Sequence, residues 1–168
     1  MINLIRGLGR ALGSPTRLLT VAILAGALVF GSYQVQDLRR NDERDQARKV
    51  VLELAENQVL DLTTLDATNV SKRIASMQER SEGGFKKQLS ALAATFTSVI
   101  KKGGVKSSGA INATAVVSLT SSKAEVMVAS TAQVVDGKSQ SEARTYRFAV
   151  DLTKKNGRWL IANMEFVS

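Results

Sequence analysis

Residues 85–119 read FKKQLSALAATFTSVIKKGGVKSSGAINATAVVSL, and the period of their apolar residues changes part-way. Phe85, Leu89, Leu92, Ala93, Phe96, Val99 and Ile100 follow one another at helical spacing, which predicts an amphipathic helix. Lys101 and Lys102 sit where cations suit the carboxyl end of the macrodipole, and Gly103-Gly104 ends the helix. Beyond Gly104 the period is two: Ile111, Ala113, Ala115, Val117 and Leu119 alternate with small or polar residues, the pattern of a half-buried strand.

Toward the carboxyl terminus the strand signal repeats. Thr120-Ser121-Ser122-Lys123 reads as a turn, and Val126, Val128, Ala132 and Val134 as the next strand. Asp136-Gly137 is a tight-hairpin signal, with residues 136–143 the most loop-like part of the sheet. Tyr146, Phe148, Val150 and Leu152 alternate with Arg147, Ala149, Asp151 and Thr153. Asn156-Gly157 marks another hairpin. Trp159 to Val167 is apolar on both faces, so it is expected to be a central or covered strand.

Toward the amino terminus, Ser81-Glu82-Gly83-Gly84 is a break. Before it, Ala67, Val70, Ile74 and Met77 mark a short helix. Leu62-Thr63-Thr64-Leu65-Asp66 separates that helix from the one before, with Asp66 expected as its cap. From Asp37 a charged helix carries opposite-charge pairs four residues apart, Arg39–Glu43, Asp45–Lys49 and Lys49–Glu53. Val51, Leu54, Ala55, Val59 and Leu62 form its apolar face. Three helices followed by a four-stranded antiparallel meander make an α+β domain.

Further upstream, Leu18–Val35 is an uncharged run of 18 residues. As a helix it is roughly 27 Å long, close to the ~30 Å hydrocarbon thickness of a bilayer. Its Ala25-Gly26-Ala27 lies inside the run rather than after it, which favours a retained anchor over a cleaved signal peptide. The expected organisation is a basic cytoplasmic lead at 1–17, a transmembrane helix at 18–36, a stalk helix at 37–61 and an extracytoplasmic α+β domain at 62–168. Three cations precede the run and five follow it closely, so a bare positive-inside count would place the domain in the cytoplasm. The acid-free lead, and the acids Asp37, Asp42, Glu43 and Asp45 among the trailing cations, favour the opposite orientation, with the lead inside. The span is rich in small residues, which let membrane helices approach closely. Ala22, Ala25, Gly26, Val29, Phe30 and Tyr33 are its candidate partner-contact positions.

The formal charge of +8 is spread over 23 cations and 15 acids. It clusters only as dipeptides, which suits a surface near anionic lipid better than a nucleic-acid face. With no His and no Cys, imidazole acid–base work, thiol nucleophiles, Ser-His-Asp triads and ordinary zinc sites are excluded. Any catalytic site would need a carboxylate raised in pKa by burial. Asp61, Asp66, Glu125 and Asp151 are the candidates, with Asp66 read as a cap and Asp151 as outward-facing. Trp159 is read as core, and Tyr146-Arg147 as an inward ring beside an outward cation.

The order of these features resembles the Mce-associated membrane proteins of actinobacteria. The residues that carry the resemblance are Leu62-Thr63-Thr64-Leu65-Asp66, Gly84-Phe85, Gly104-Val105, Tyr146-Arg147 and Gly157-Arg158-Trp159-Leu160. Two departures are Gly83, where a Thr often precedes the Gly-Phe pair, and a short 136–143 loop without proline. The resemblance implies an NTF2-like or VirB8-like outer domain, with helices against a curved four-stranded antiparallel sheet. It implies a non-enzymatic accessory subunit of an Mce-type lipid importer for fatty acids or sterols. The span would dock on the permease in the plasma membrane, with the domain on the periplasmic side. The implied partners are permease subunits, Mce proteins and membrane lipid; no cofactor, metal or nucleic acid is expected. Two rivals remain: a VirB8-like scaffold of a secretion machine, and a tethered NTF2-like enzyme or lipid-binding protein.

Overall fold

The structure is a computed structural model and describes residues 42–135 and 141–167. The lead, the membrane run with Ala22, Ala25, Gly26, Val29, Phe30 and Tyr33, and the Asp136-Gly137 signal lie outside the described residues. Among the described residues no helix is long and apolar enough to cross a membrane.

The charged segment is helical over 42–63 (α1), so Leu62 and Thr63 continue the helix rather than break it. Val51, Ala55 and Val59 lie at the spacing that stacks them on one face, and all three are fully buried. The chain then turns into α2, Val70–Glu79. Asp66 Oδ1 accepts hydrogen bonds from the amides of Thr68 (2.7 Å) and Asn69 (2.9 Å), and Asn69 Oδ1 accepts the Asp66 amide (2.9 Å). This reciprocal pairing has the logic of a capping box. Val70, Ile74 and Met77 are buried as the period requires. Ala67, expected on the same face, is exposed because it sits in the turn ahead of the helix.

The third helix is α3, Gly83–Gly103, and Gly104 closes it in the left-handed region with φ 60°, a conformation glycine adopts without steric cost. Four strands follow: β1 Lys106–Leu119, β2 Lys123–Val135, β3 Ser141–Lys155 and β4 Arg158–Phe166. They form one antiparallel sheet in the order β1-β2-β3-β4. The β1–β2 turn is held by Thr120, whose Oγ1 accepts the Lys123 amide at 2.9 Å. In the β3–β4 turn Asn156 and Gly157 both take positive φ, 49° and 79°. That is what a type I′ hairpin needs.

Two expectations about the strands change. The apolar alternation of β1 does not hold one face: register shifts between Ile111 and Ala113 and between Val116 and Ser118 turn Ile111, Val116 and Leu119 to the core and leave Ala113, Ala115 and Val117 exposed. At its start Ser107 exchanges backbone hydrogen bonds with Leu65 (2.7 and 3.0 Å). β4 is an edge strand, not a central one. Its apolar outer flank is covered locally by the α2–α3 connection: the Ile161 amide donates to the Arg80 carbonyl (2.8 Å) and the Glu82 amide to the Ile161 carbonyl (2.9 Å). The two helix breaks thus each close part of a sheet edge that would otherwise present unpaired backbone groups. The approach at β1 is tight: a Cβ built on Gly109 would lie 2.1 Å from Thr63 Oγ1. The Gly109 amide donates to Thr64 Oγ1 at 3.2 Å.

The core has two centres. In the first, the apolar face of α1 packs on one face of the sheet, against Val126 and Val128 of β2, Phe148, Val150 and Leu152 of β3, and Trp159 and Ile161 of β4. In the second, Leu65, Val70, Ile74, Met77 and Ile100 join α2 to α3. Leu62 packs against both.

Candidate functional site

The four candidate carboxylates are not brought together. Asp61 lies at the end of α1, where its Oδ1 takes Arg73 and its Oδ2 takes Arg80. Beside it Gln58, fully buried on the helix, accepts from Arg80 Nε at 3.3 Å and donates to Ser81 Oγ at 3.4 Å. Ser81 Oγ donates in turn to the Met77 carbonyl at 2.7 Å. With both oxygens held by guanidinium donors, Asp61 is a structural tie between α1 and α2 rather than a base open to substrate. Asp66 serves the turn described above; the Thr68 hydroxyl, then the Asn69 and Thr68 amides, hold its carboxyl below the usual aspartate range. Glu125 and Asp151 face each other across β2 and β3, on the side of the sheet away from α1.

Sequence reading missed the Gln58–Arg80–Ser81 cluster. The available signal was Gln58 itself, a polar residue two turns from Val51 on the apolar stripe of α1. A second polar tie joins α3 to the sheet. Glu82, immediately before α3, pairs with Lys155 and accepts the Thr153 hydroxyl. These two partners, Lys155 foremost, hold its carboxyl below the usual glutamate range.

The motif residues that carried the resemblance serve the fold. Thr63 and Thr64 meet β1, and Phe85 and Tyr146 each pack against the main core. Tyr146 stacks with Phe148 and Phe166 at centroid distances of 6.1 and 6.0 Å. Arg147 is exposed on the opposite face. Trp159 is buried, with Lys154 Nζ 5.9 Å from its ring centroid. Gly157 lies in the turn before β4 and Arg158 is the first residue of that strand. Leu62 joins the two core centres, and Gly84 lies in the first turn of α3.

Among the described residues, two surfaces stay uncovered. The apolar stripe of α3 buries only Ile100 completely, and Phe85, Leu89, Ala93 and Phe96 partly. Leu92 and Val99, seven residues apart and so on one side of the helix, keep 63% and 58% of their surface exposed. This departs from the expectation of one buried face, because α2 is only ten residues long and covers one flank of α3. An open cleft of about 290 Å³ runs between them, lined by Ile74, Ala75, Gln78, Ala93, Ala94 and Thr97 among others. The other uncovered surface is the outer face of the sheet, where a shallow apolar depression of about 180 Å³ lies among Ala113, Ala115, Met127, Ala129 and Arg147. Among the described residues no cluster of acidic side chains could hold a metal ion.

The profile of the family described as "Uncharacterized protein Rv1363c/MT1408-like" matches residues 15–168. The chain belongs to that family. A relative from Mycobacterium tuberculosis, "Uncharacterized protein Rv1363c", is 30% identical over 148 residues, which is 88% of this chain and 57% of the relative. The chain thus spans little more than half the length of that curated relative. In three dimensions the domain is similar to the periplasmic domain of DotI: TM-score 0.57, 13% identity, 70% of this chain and 92% of that one. It is also similar to CagV of Helicobacter pylori, a VirB8 homologue of a type IV secretion system: TM-score 0.55, 10% identity, 70% and 96% covered. At these identities the likeness establishes the fold, which is VirB8-like and NTF2-like, and nothing about partners. The helix-and-sheet architecture drawn from the residues is thereby borne out.

Proposed function

We propose that this chain is a membrane-tethered, non-enzymatic scaffold subunit of a larger envelope assembly. The observation that carries the reading is the exposed Leu92–Val99 flank of α3 on a VirB8-like domain. Two large apolar side chains left exposed on one side of a helix by the described domain cost free energy unless a neighbour covers them. Catalysis is disfavoured by chemistry: Asp61 and Asp66 are committed to ties and caps, and the chain has no His or Cys to replace them. The anchor would be the Leu18–Val35 run, with the short lead in the cytoplasm and the domain outside, on the side where the similar DotI domain, a periplasmic one, resides.

The finer reading takes the assembly to be an Mce-type lipid importer. It rests on the sequence resemblance, and places a permease against the span and a larger subunit against α3. The fold neighbours favour a second reading, a scaffold within a secretion machine. Purification of the full chain from native membranes in mild detergent, followed by mass spectrometry, separates them. A permease with its ATPase supports the importer; secretion ATPases and pilus-type proteins support the alternative. A Leu92→Asp/Val99→Asp chain that folds but recovers neither set places the contact on α3. Recovery of the wild-type chain alone overturns the proposal.

A further inference from the structure

The outer face of the sheet carries a charge pattern that is complementary to itself. The strand register sorts its side chains into rows. One row is Ser118, Glu125, Asp151 and Asn163. The next is Ala115, Met127, Ala149 and Glu165. The third is Ala113, Ala129 and Arg147. On β3, Asp151 and Arg147 therefore flank Ala149 at equal spacing, about 7 Å to either side.

Within one chain this arrangement is unsatisfied. Glu125 and Asp151 are directly opposed, and like charges directly opposed on a sheet destabilise it. Asp151 receives a long hydrogen bond from Asn163, 3.4 Å. Among the described residues, neither acid has a cation within ion-pair distance and Arg147 has no carboxylate. Between the acids and Arg147 lies the alanine-rich depression, which antiparallel sheets normally fill with polar side chains when the face is solvated.

We infer that this face binds a second copy of the chain, with a two-fold axis lying in the interface and running across the strands through Met127 and Ala149. That operation lays each β3 over its own copy in reverse, so Arg147 meets Asp151 of the second copy and Asp151 meets its Arg147. Met127 and Ala149 come to the axis and close the depression. The interface is isologous, the commonest form of self-association. Four strands spaced ~4.8 Å and about 43 Å long offer at most roughly 800 Å², the area a standard interface buries on each partner. Glu165 lies on the same axial row, so it approaches its own copy and opposes the pairing.

The chain has no cysteine, so a cysteine introduced at Met127 (Met127→Cys) reports the axis directly. The full chain in mild detergent is expected to be dimeric by light scattering, and the Met127→Cys chain to crosslink with a short bis-maleimide. Arg147→Glu and Asp151→Arg, both at exposed positions, each place like charges in two symmetric contacts and should weaken the dimer about tenfold or more. The double reversal should restore it, and Glu165→Gln should tighten it. A monomeric chain overturns the inference. So does a dimer indifferent to the single reversals, which the membrane run alone would give, or a double reversal that fails to restore association.

Discussion

On α1 the residues facing the sheet disappear: Val51, Ala55, Gln58 and Val59 have no exposed surface. On α3, Leu92 and Val99 keep 63% and 58% of theirs. Both helices have the same apolar period in the sequence. The difference lies in what each helix meets. α1 crosses the middle of a four-stranded sheet, while α3 meets ten-residue α2 and the edge strand β4. Amphipathicity specifies which side of a helix is apolar; the neighbour's width decides how much of that side is used. α1 leaves Val50 exposed at 42%, but its sheet-facing stripe has no surplus, whereas the stripe of α3 does. This points to α1 as the element that holds the domain together and α3 as the element offered outward.

The sharpest way to break the comparison is at the polar end of α1. Asp61→Ala leaves Arg73 and Arg80 without their shared carboxylate. Removing one partner of a buried pair costs about 3–5 kcal/mol. Arg73 retains 35% side-chain exposure, so water screens part of the loss and about 2–3 kcal/mol is expected. Urea denaturation should show a lower midpoint with an unchanged slope. An effect below about 0.5 kcal/mol, the size of an ordinary surface change, would mean that apolar packing alone fixes α1.

The apolar faces themselves give the next largest contrast. Val59→Ala removes two buried methyl groups from the α1–sheet contact and is expected to cost about 2 kcal/mol. Leu92→Ala and Val99→Ala each remove a larger or equal side chain, yet each should change stability by less than about 0.5 kcal/mol. Denaturation midpoints of the three chains test this directly. If Leu92→Ala cost as much as Val59→Ala, α3 would be covered by its own chain and its outward role would fail.

Much of this architecture can be read from residues, and the exceptions have physical causes. Strand alternation and the Asn156-Gly157 turn depend on local backbone rules, so β3 and its hairpin are legible. The edge position of β4 is not. An apolar pattern on both faces reports coverage, and coverage here comes from Arg80–Glu82, a connection whose hydrogen bonds to Ile161 leave no trace in periodicity. The Asp61–Arg73–Arg80 cluster is equally silent, since its members come from two helices and charge spacing indicates only neighbours on one helix. The acid and arginine rows of the outer sheet face need the register of three strands before Arg147 and Asp151 can be compared at all.

The smallest expected effect concerns the polar tie of α3, the counterpart of Asp61 on α1. Glu82 joins the start of α3 to β3 through Lys155 and the Thr153 hydroxyl, which together hold its carboxyl below the usual glutamate range. A carboxyl depressed in the folded state binds its proton less readily there than in the unfolded chain. Its contribution is therefore fully present above the ordinary glutamate range and disappears as the pH falls through the lower folded value. Glu82→Gln should then be slightly less stable than the wild type at neutral pH, and equal to it in strong acid. Its stability curve should fall less steeply between those limits. Asp66 adds an acid-sensitive slope of the same sign, common to both chains, so it cancels in the difference between them. Melting temperatures of the two chains measured across the acid range provide the check. Parallel curves would show that Lys155 and Thr153 do not discriminate between the folded and unfolded carboxylate, and that α3 is held at its amino end by the Arg80–Ile161–Glu82 backbone bonds alone.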